Sequence, residues 1–275
     1  MEMQKPSTDP ETVTGASTGT VAKSVNINTS VSANNMQSKK KDRDFAEHLE
    51  AYLARRDGVD KVLKIARYSA KIILASSVVS KDALLAKRLK DFDASLGVSR
   101  KAFRLGKFIQ DYNALKKVSL DSKEGILEIV AYGGDGIYYF VEQFTWLIKA
   151  GLIDDRYSAK LQMLSAWTEL IGYCGSIAAK GLQISALRKK QSVLASKISG
   201  VTGEAQISDK YAAEISQLRE KQVLKVVSII QDFADGLLAL ADIRNGKGTL
   251  SNPLLLASAG LLSALISAQK NWSSS

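Results

Sequence analysis

LAKRLKDFDASLGVSRKAFRLGKF, residues 85–108, decides how the rest of the chain is read. Its apolar positions Leu85, Leu89, Phe92 and Leu96 recur at steps of four, three and four, the spacing of one helical face. Lys87, Arg88 and Lys90 sit off that stripe. The tail SRKAFRLGKF then interleaves Arg100, Lys101, Arg104 and Lys107 with Phe103 and Phe108. A cationic amphipathic helix of this kind suits a membrane surface or a partner's groove. Gly97 predicts a break that divides it.

The surrounding charge points the same way. The chain of 275 residues carries a formal net charge of +10, and 45% of it is hydrophobic. Residues 39–124 hold 21 Lys and Arg against 12 Asp and Glu, almost the whole excess. The partner expected for this half is anionic, either phospholipid or nucleic acid. Cys174 and His48 are each the sole residue of their type. Neither has the companions that a disulfide, a zinc site or a nucleophilic triad requires, so both read as ordinary helix residues and no metal is expected.

Residues 1–41 are rich in Ser, Thr, Asn and Gly and almost free of aromatic residues, which predicts a disordered polar tail. That tail lacks the apolar run of a secretory signal, and its Glu2, Asp9 and Glu11 are unlike a transit peptide. The terminal NWSSS is not an import tripeptide of the Ser-Lys-Leu type.

From Asp44 onward Pro253 is the only proline, and helices are expected to dominate. Phe45, Leu49, Tyr52 and Leu53 share a first helix that Asp57 and Gly58 should interrupt. A second, over 59–79, places Val62, Ile65 and Ile72 opposite Lys61, Lys64, Arg67 and Lys71. The region 81–117 follows, so residues 42–125 read as a basic amphipathic block at the membrane surface.

The next block, 126–187, is aromatic and apolar. Glu128, Asp135, Glu142 and Lys149 recur every seven residues in ILEIVAYGGDGIYYFVEQFTWLIKAGLI. On a helix that spacing drifts only about 20° per step, so the four charges make one narrow polar stripe. Such a stripe faces water at an interface or the inside of a membrane bundle. Gly133, Gly134 and Gly136 are candidate kinks. Residues 161–179 carry Glu169 as their only charge and reach about 28 Å, close to a bilayer core. Gly172 with Ser176 sets small residues four apart, as close helix contact in a membrane requires.

Residues 188–222 read as a water-exposed polar connection. Residues 223–275 then combine an amphipathic helix bearing Asp232, Asp235 and Asp242, a turn at Asn245–Gly248, and the uncharged PLLLASAGLLSALISA from Pro253. Gly260, Ala264 and Ala268 form a small-residue ladder along this last segment, and Lys270 and Trp272 suit an interfacial anchor. The expected fold is all-α: a helical membrane protein with amphipathic helices and a few embedded ones. A soluble basic helical protein that binds protein or nucleic acid, and a channel for small metabolites suggested by Glu128, Asp135, Glu142 and Glu169, are the competing readings of the residues themselves.

Four blocks in order, YLARRDGVDKVLKIARYSAKII from Tyr52, SRKAFRLGKF from Ser99, YYFVEQFTWLIKAGLID from Tyr138, and DGLLALADIRNGKG with SAGLLSALISAQKNW, resemble the peroxisomal biogenesis factor 11 family, its plant-type members above all. The resemblance spans 44–272 and leaves the polar head outside. It implies a peroxisomal membrane protein without enzymatic activity or cofactor, multi-pass or deeply embedded, with cytosolic termini. It further implies that an amphipathic helix bends and elongates the organelle before division. Lys87, Arg88, Lys90, Arg100, Lys101, Arg104 and Lys107 would then meet lipid phosphates, while Leu85, Leu89, Phe92, Leu96, Phe103 and Phe108 wedge below the headgroups. The implied partners are an anionic phospholipid membrane, a second copy of the chain, a tail-anchored fission adaptor and a dynamin-related GTPase, and no nucleic acid.

Overall fold

The computed structural model describes residues 44–76, 82–200 and 205–275, and the expected polar tail 1–41 lies outside them. Every regular element among the described residues is helical. The α-helices are α1 (Phe45–Leu53), α2 (Arg56–Ala75), α3 (Ala83–Phe103), α4 (Phe108–Leu115), α5 (Lys123–Lys149), α6 (Ser158–Gly200), α7 (Ala205–Ile243) and α8 (Pro253–Trp272).

Local chemistry sets the ends. Asp82 opens α3 by accepting from the Leu84 and Leu85 amides at 3.0 Å, and Ser122 opens α5 by accepting from the Gly125 amide at 2.9 Å. Asn252 caps α8, with Pro253 at its first position, where a missing N–H costs nothing. The turn expected after residue 243 forms as read: Asn245 and Gly246 take φ of 51° and 69°, and the Gly246 amide reaches back to the Ala241 carbonyl.

Several expected breaks fall elsewhere. α3 runs unbroken through Gly97 and stops at residues 104–107, where Gly106 adopts φ 74°. Gly97 is small for another reason: a Cβ there would lie 3.3 Å from the Arg67 guanidinium, which crosses α3 at that point to pair with Asp93 at 2.8 Å. α5 is likewise continuous past Gly133, Gly134 and Gly136. Asp57 and Gly58 sit in the first turn of α2, because α1 already ends at Leu53. The polar connection expected over 188–222 is largely the exposed far ends of α6 and α7.

α2 packs on α3, α3 on α5, α5 on α6, α6 on α7, α7 on α8, and α8 back on α2, so six helices close a ring. α1 leans on α2 and α4 on α5. Small residues make these approaches close: Ala131, Ala166, Ala179, Ala239, Ala257 and Ala264 are all buried. α1 also clasps the end of α8. The His48 ring stacks on Trp272 at 4.1 Å and its Nε2 meets the Trp272 carbonyl at 3.0 Å, while Arg55 donates to the Ser274 carbonyl at 2.7 Å. Trp272, expected as a lipid anchor, is thereby engaged within the chain.

Several charged residues lie inside the bundle and many large apolar ones outside it, unlike the usual water-soluble protein. Asp60, Lys64, Arg100, Glu142, Asp232 and Asp235 are buried, while Phe140, Trp167, Ile171, Val223 and Phe233 are exposed, the last at 63%.

Candidate membrane-facing helix and polar interior

The two halves of α3 have different surroundings. In the N-terminal half Leu85, Lys87, Arg88, Lys90 and Phe92 are exposed and Leu89 is half-buried. Leu84, on the same turn, is exposed as well. This half presents cations beside apolar side chains, the surface expected of a helix that lies among headgroups.

The C-terminal half turns inward. Leu96 is buried, and Arg100, 5% exposed, donates from Nε to Asp60 Oδ1 at 2.9 Å. Arg104 reaches the same oxygen at 3.3 Å and gives a second donor to the Tyr138 hydroxyl at 3.0 Å. Lys101 pairs with Glu142, and Lys107 sits 3.5 Å from Asp57 and over the Tyr139 ring. Phe103 stays exposed, whereas Phe108 stacks edge-on against Phe140 at 5.4 Å. Carboxylates of α2 and α5 thus pair with Arg100, Lys101, Arg104 and Lys107, the four cations expected to meet lipid phosphates. A legible signal existed, since Arg100 and Arg104 continue at steps of four the stripe that ends in Leu96. One helical face simply changes from apolar to cationic along its length.

The ring lines a partly open cavity of about 1140 Å³. Glu128, Asp135, Glu142 and Lys149, the four charges spaced by seven, all line it, so the stripe faces inward. Glu169 and Tyr173 of α6 line it too, joined by a hydrogen bond of 2.8 Å. Lys64 of α2 ties three helices together: its Nζ lies 2.8 Å from Asp235 on α7 and 2.7 Å from the Ser263 hydroxyl on α8. Asp232 accepts from Ser176 at 2.9 Å and pairs with Lys180. Low dielectric strengthens such bonds and makes each broken one costly. Sequence reading missed Asp60 and Lys64 as organising residues, because each looks like one more charge on a basic helix.

Gly172 and Gly260, two of the small residues expected at helix contacts, lie at close approaches within the chain. A Cβ on Gly134 of α5 would lie 2.6 Å from the Gly172 Cα of α6, and one on Gly260 would lie 2.1 Å from the Tyr68 ring. Ala264 is fully buried and Ala268 half-buried on the same helix. Among the described residues α8 is the one helix long and apolar enough to cross a membrane, with a mean hydropathy of 1.3 in its most apolar window. No group of His, Cys, Asp and Glu among the described residues is arranged to hold a metal ion.

The family model for peroxisomal biogenesis factor 11 matches residues 46–272. Peroxisomal membrane protein 11A of Arabidopsis thaliana is 54% identical over 85% of this chain and 95% of its own length. Peroxisomal membrane protein 11-3 of Oryza sativa subsp. japonica is 50% identical over 84% of this chain and 90% of its own. Peroxisomal membrane protein 11-2 of the same rice is 41% identical with the same coverage. No solved structure matches the chain.

Proposed function

Because the chain belongs to the peroxisomal biogenesis factor 11 family, we propose that it is a peroxisomal membrane protein that binds and curves its membrane through the exposed half of α3. The observation that carries this reading is the split of that helix. Leu85, Phe92 and Leu84 stand exposed beside Lys87, Arg88 and Lys90, while the other half is fastened to α2 and α5. A helix held at one end and amphipathic at the other wedges into one leaflet without leaving its protein, and expanding that leaflet favours curvature. α8 supplies a candidate anchor in the bilayer core. Self-association, recruitment of a tail-anchored fission adaptor and a dynamin-related GTPase, and cytosolic termini belong to this reading and rest on the family alone.

The test separates the two halves of α3. Each cation near an anionic surface is worth about 1 kcal/mol, so removing three lowers affinity by about a hundredfold, and reversing their sign lowers it further. The triple variant Lys87→Glu, Arg88→Glu, Lys90→Glu is expected to keep the wild-type helical content yet fail to tubulate anionic liposomes. Tubules of wild-type number and diameter in electron micrographs would overturn the assignment.

A second reading, conduction of small polar solutes, is favoured by the charged interior. The outer faces of α5, α6 and α7 carry Phe140, Trp167, Ile171 and Phe233, while their charges line the cavity. A bundle so built places apolar faces toward lipid and polar groups toward water. Purified protein in planar bilayers should show conductance steps that shrink in the Glu128→Gln, Glu142→Gln variant. Silent bilayers would remove this reading and leave the wedge untouched.

A further inference from the structure

The wall that α2 and α3 give to the interior is unbalanced in charge. Asp60 is 1% exposed and stands behind that wall, yet among the described residues it is the only carboxylate bonded to Lys61, Arg100 and Arg104, at 3.1, 2.9 and 3.3 Å. Three neighbouring carboxylates are paired with other cations: Asp235 with Lys64, Asp93 with Arg67, and Glu142 with Lys101. Within ion-pair distance, the three cations around Asp60 therefore carry an excess of two positive charges. Lys61, Arg100 and Arg104 all line the cavity, and the Arg100 Nη2 amino group is buried without a partner. Buried donors of this kind are nearly always satisfied in a native protein.

We propose that this wall binds a phosphate dianion, free or as a phosphomonoester group, with Lys61, Arg100 and Arg104 as its charge complement and Arg100 Nη2 as a donor to it. A dianion cancels the excess of two, which a carboxylate or chloride does not. Guanidinium groups match the oxygens of phosphate in geometry as well as charge. The cavity has ample room for the group and for more of a molecule attached to it. The site is distinct from the exposed half of α3 and stands whether or not that half bends membranes.

The experiment uses the full chain in detergent micelles at constant ionic strength, titrated with inorganic phosphate in a calorimeter. Wild-type protein is expected to bind one phosphate per chain, saturably. Lys61→Gln leaves Asp60 paired with both arginines and so keeps the fold, and is expected to weaken binding about tenfold. Lys190→Gln, the same charge change at an exposed position of α6, should bind as wild type does. A second arm reconstitutes the chain in nanodiscs of phosphatidylcholine with or without phosphatidic acid, whose headgroup is a phosphomonoester. If only phosphatidic acid raises the melting temperature, and does so in wild type but not in Lys61→Gln, the occupant is a lipid headgroup. Absence of both effects, or a Lys61→Gln variant indistinguishable from wild type, overturns the site.

Discussion

Gly134→Leu is expected to part α5 from α6 and abolish the cooperative melting of the protein, while Gly133→Ala, one residue earlier, is expected to raise its melting temperature. Any Cβ at position 134 would fall 2.6 Å from the Cα and N of Gly172 and 2.7 Å from the Thr168 carbonyl oxygen. All three are backbone atoms of a packed helix, so none swings aside as a side-chain tip would. Overpacking of a formed contact costs about 1–3 kcal/mol for modest additions, and an isobutyl group at this spot exceeds them. At Gly133 nothing lies within 4 Å. Alanine there gains about 0.5–1 kcal/mol of helix propensity without a collision. Circular dichroism melts of both variants in the same detergent decide the matter, and equal curves would show that the glycine crossing does not hold α5 to α6.

Asp60→Ala is expected to cost the protein more stability than any other single loss of charge. Removing one partner of a buried ion pair costs about 3–5 kcal/mol, because the remaining charge stays buried. Here the loss strands Lys61, Arg100 and Arg104 together. Burial alone would raise the pKa of Asp60, but the guanidiniums of Arg104 and Arg100 and the Lys61 ammonium hold it well below the carboxylate range. The sign of the pH effect follows. A carboxyl depressed in the folded state contributes its full stability above its unfolded pKa of 3.8 and loses it as pH falls below that value. Wild-type melting temperature should therefore drop on acidification below about pH 4. The variant starts lower at neutral pH and lacks this share of the drop. Superimposable pH profiles would mean that Asp60 does not join α2 to α3.

The stripe at Glu128, Asp135, Glu142 and Lys149 was legible as one azimuth, because seven-residue spacing fixes it on a helix wherever the helix sits, but whether it faces water or the bundle was not. The close crossings at Gly172 and Gly260 were legible for a related reason: small residues four apart demand a near neighbour, though they do not say whether it is the same chain. Reading failed where one face carries two kinds of side chain. Leu96 and Arg100 are one turn apart on α3, one apolar and one charged, yet both are buried. Amphipathic pattern alone assigns cations outward; what draws Arg100 inward is a carboxylate forty positions earlier in the chain. Such pairing is a property of the closed ring and has no local signature. Gly97 misled for the complementary reason, since the group that needs its space is Arg67 on another helix.

The clasp between α1 and the end of α8 has a practical consequence for work in cells. With His48 stacked on Trp272 and Arg55 bonded to Ser274, the start of the helical region and the last residues of the chain emerge side by side. Fluorophores placed at the start of α1 and just after α8 of one polypeptide will transfer energy between themselves, so a signal from a doubly labelled chain says nothing about copies meeting. Distance measurements of self-association need single labels on separate molecules, and a protease or antibody that reaches the last residues also reports on which side of the membrane α1 lies.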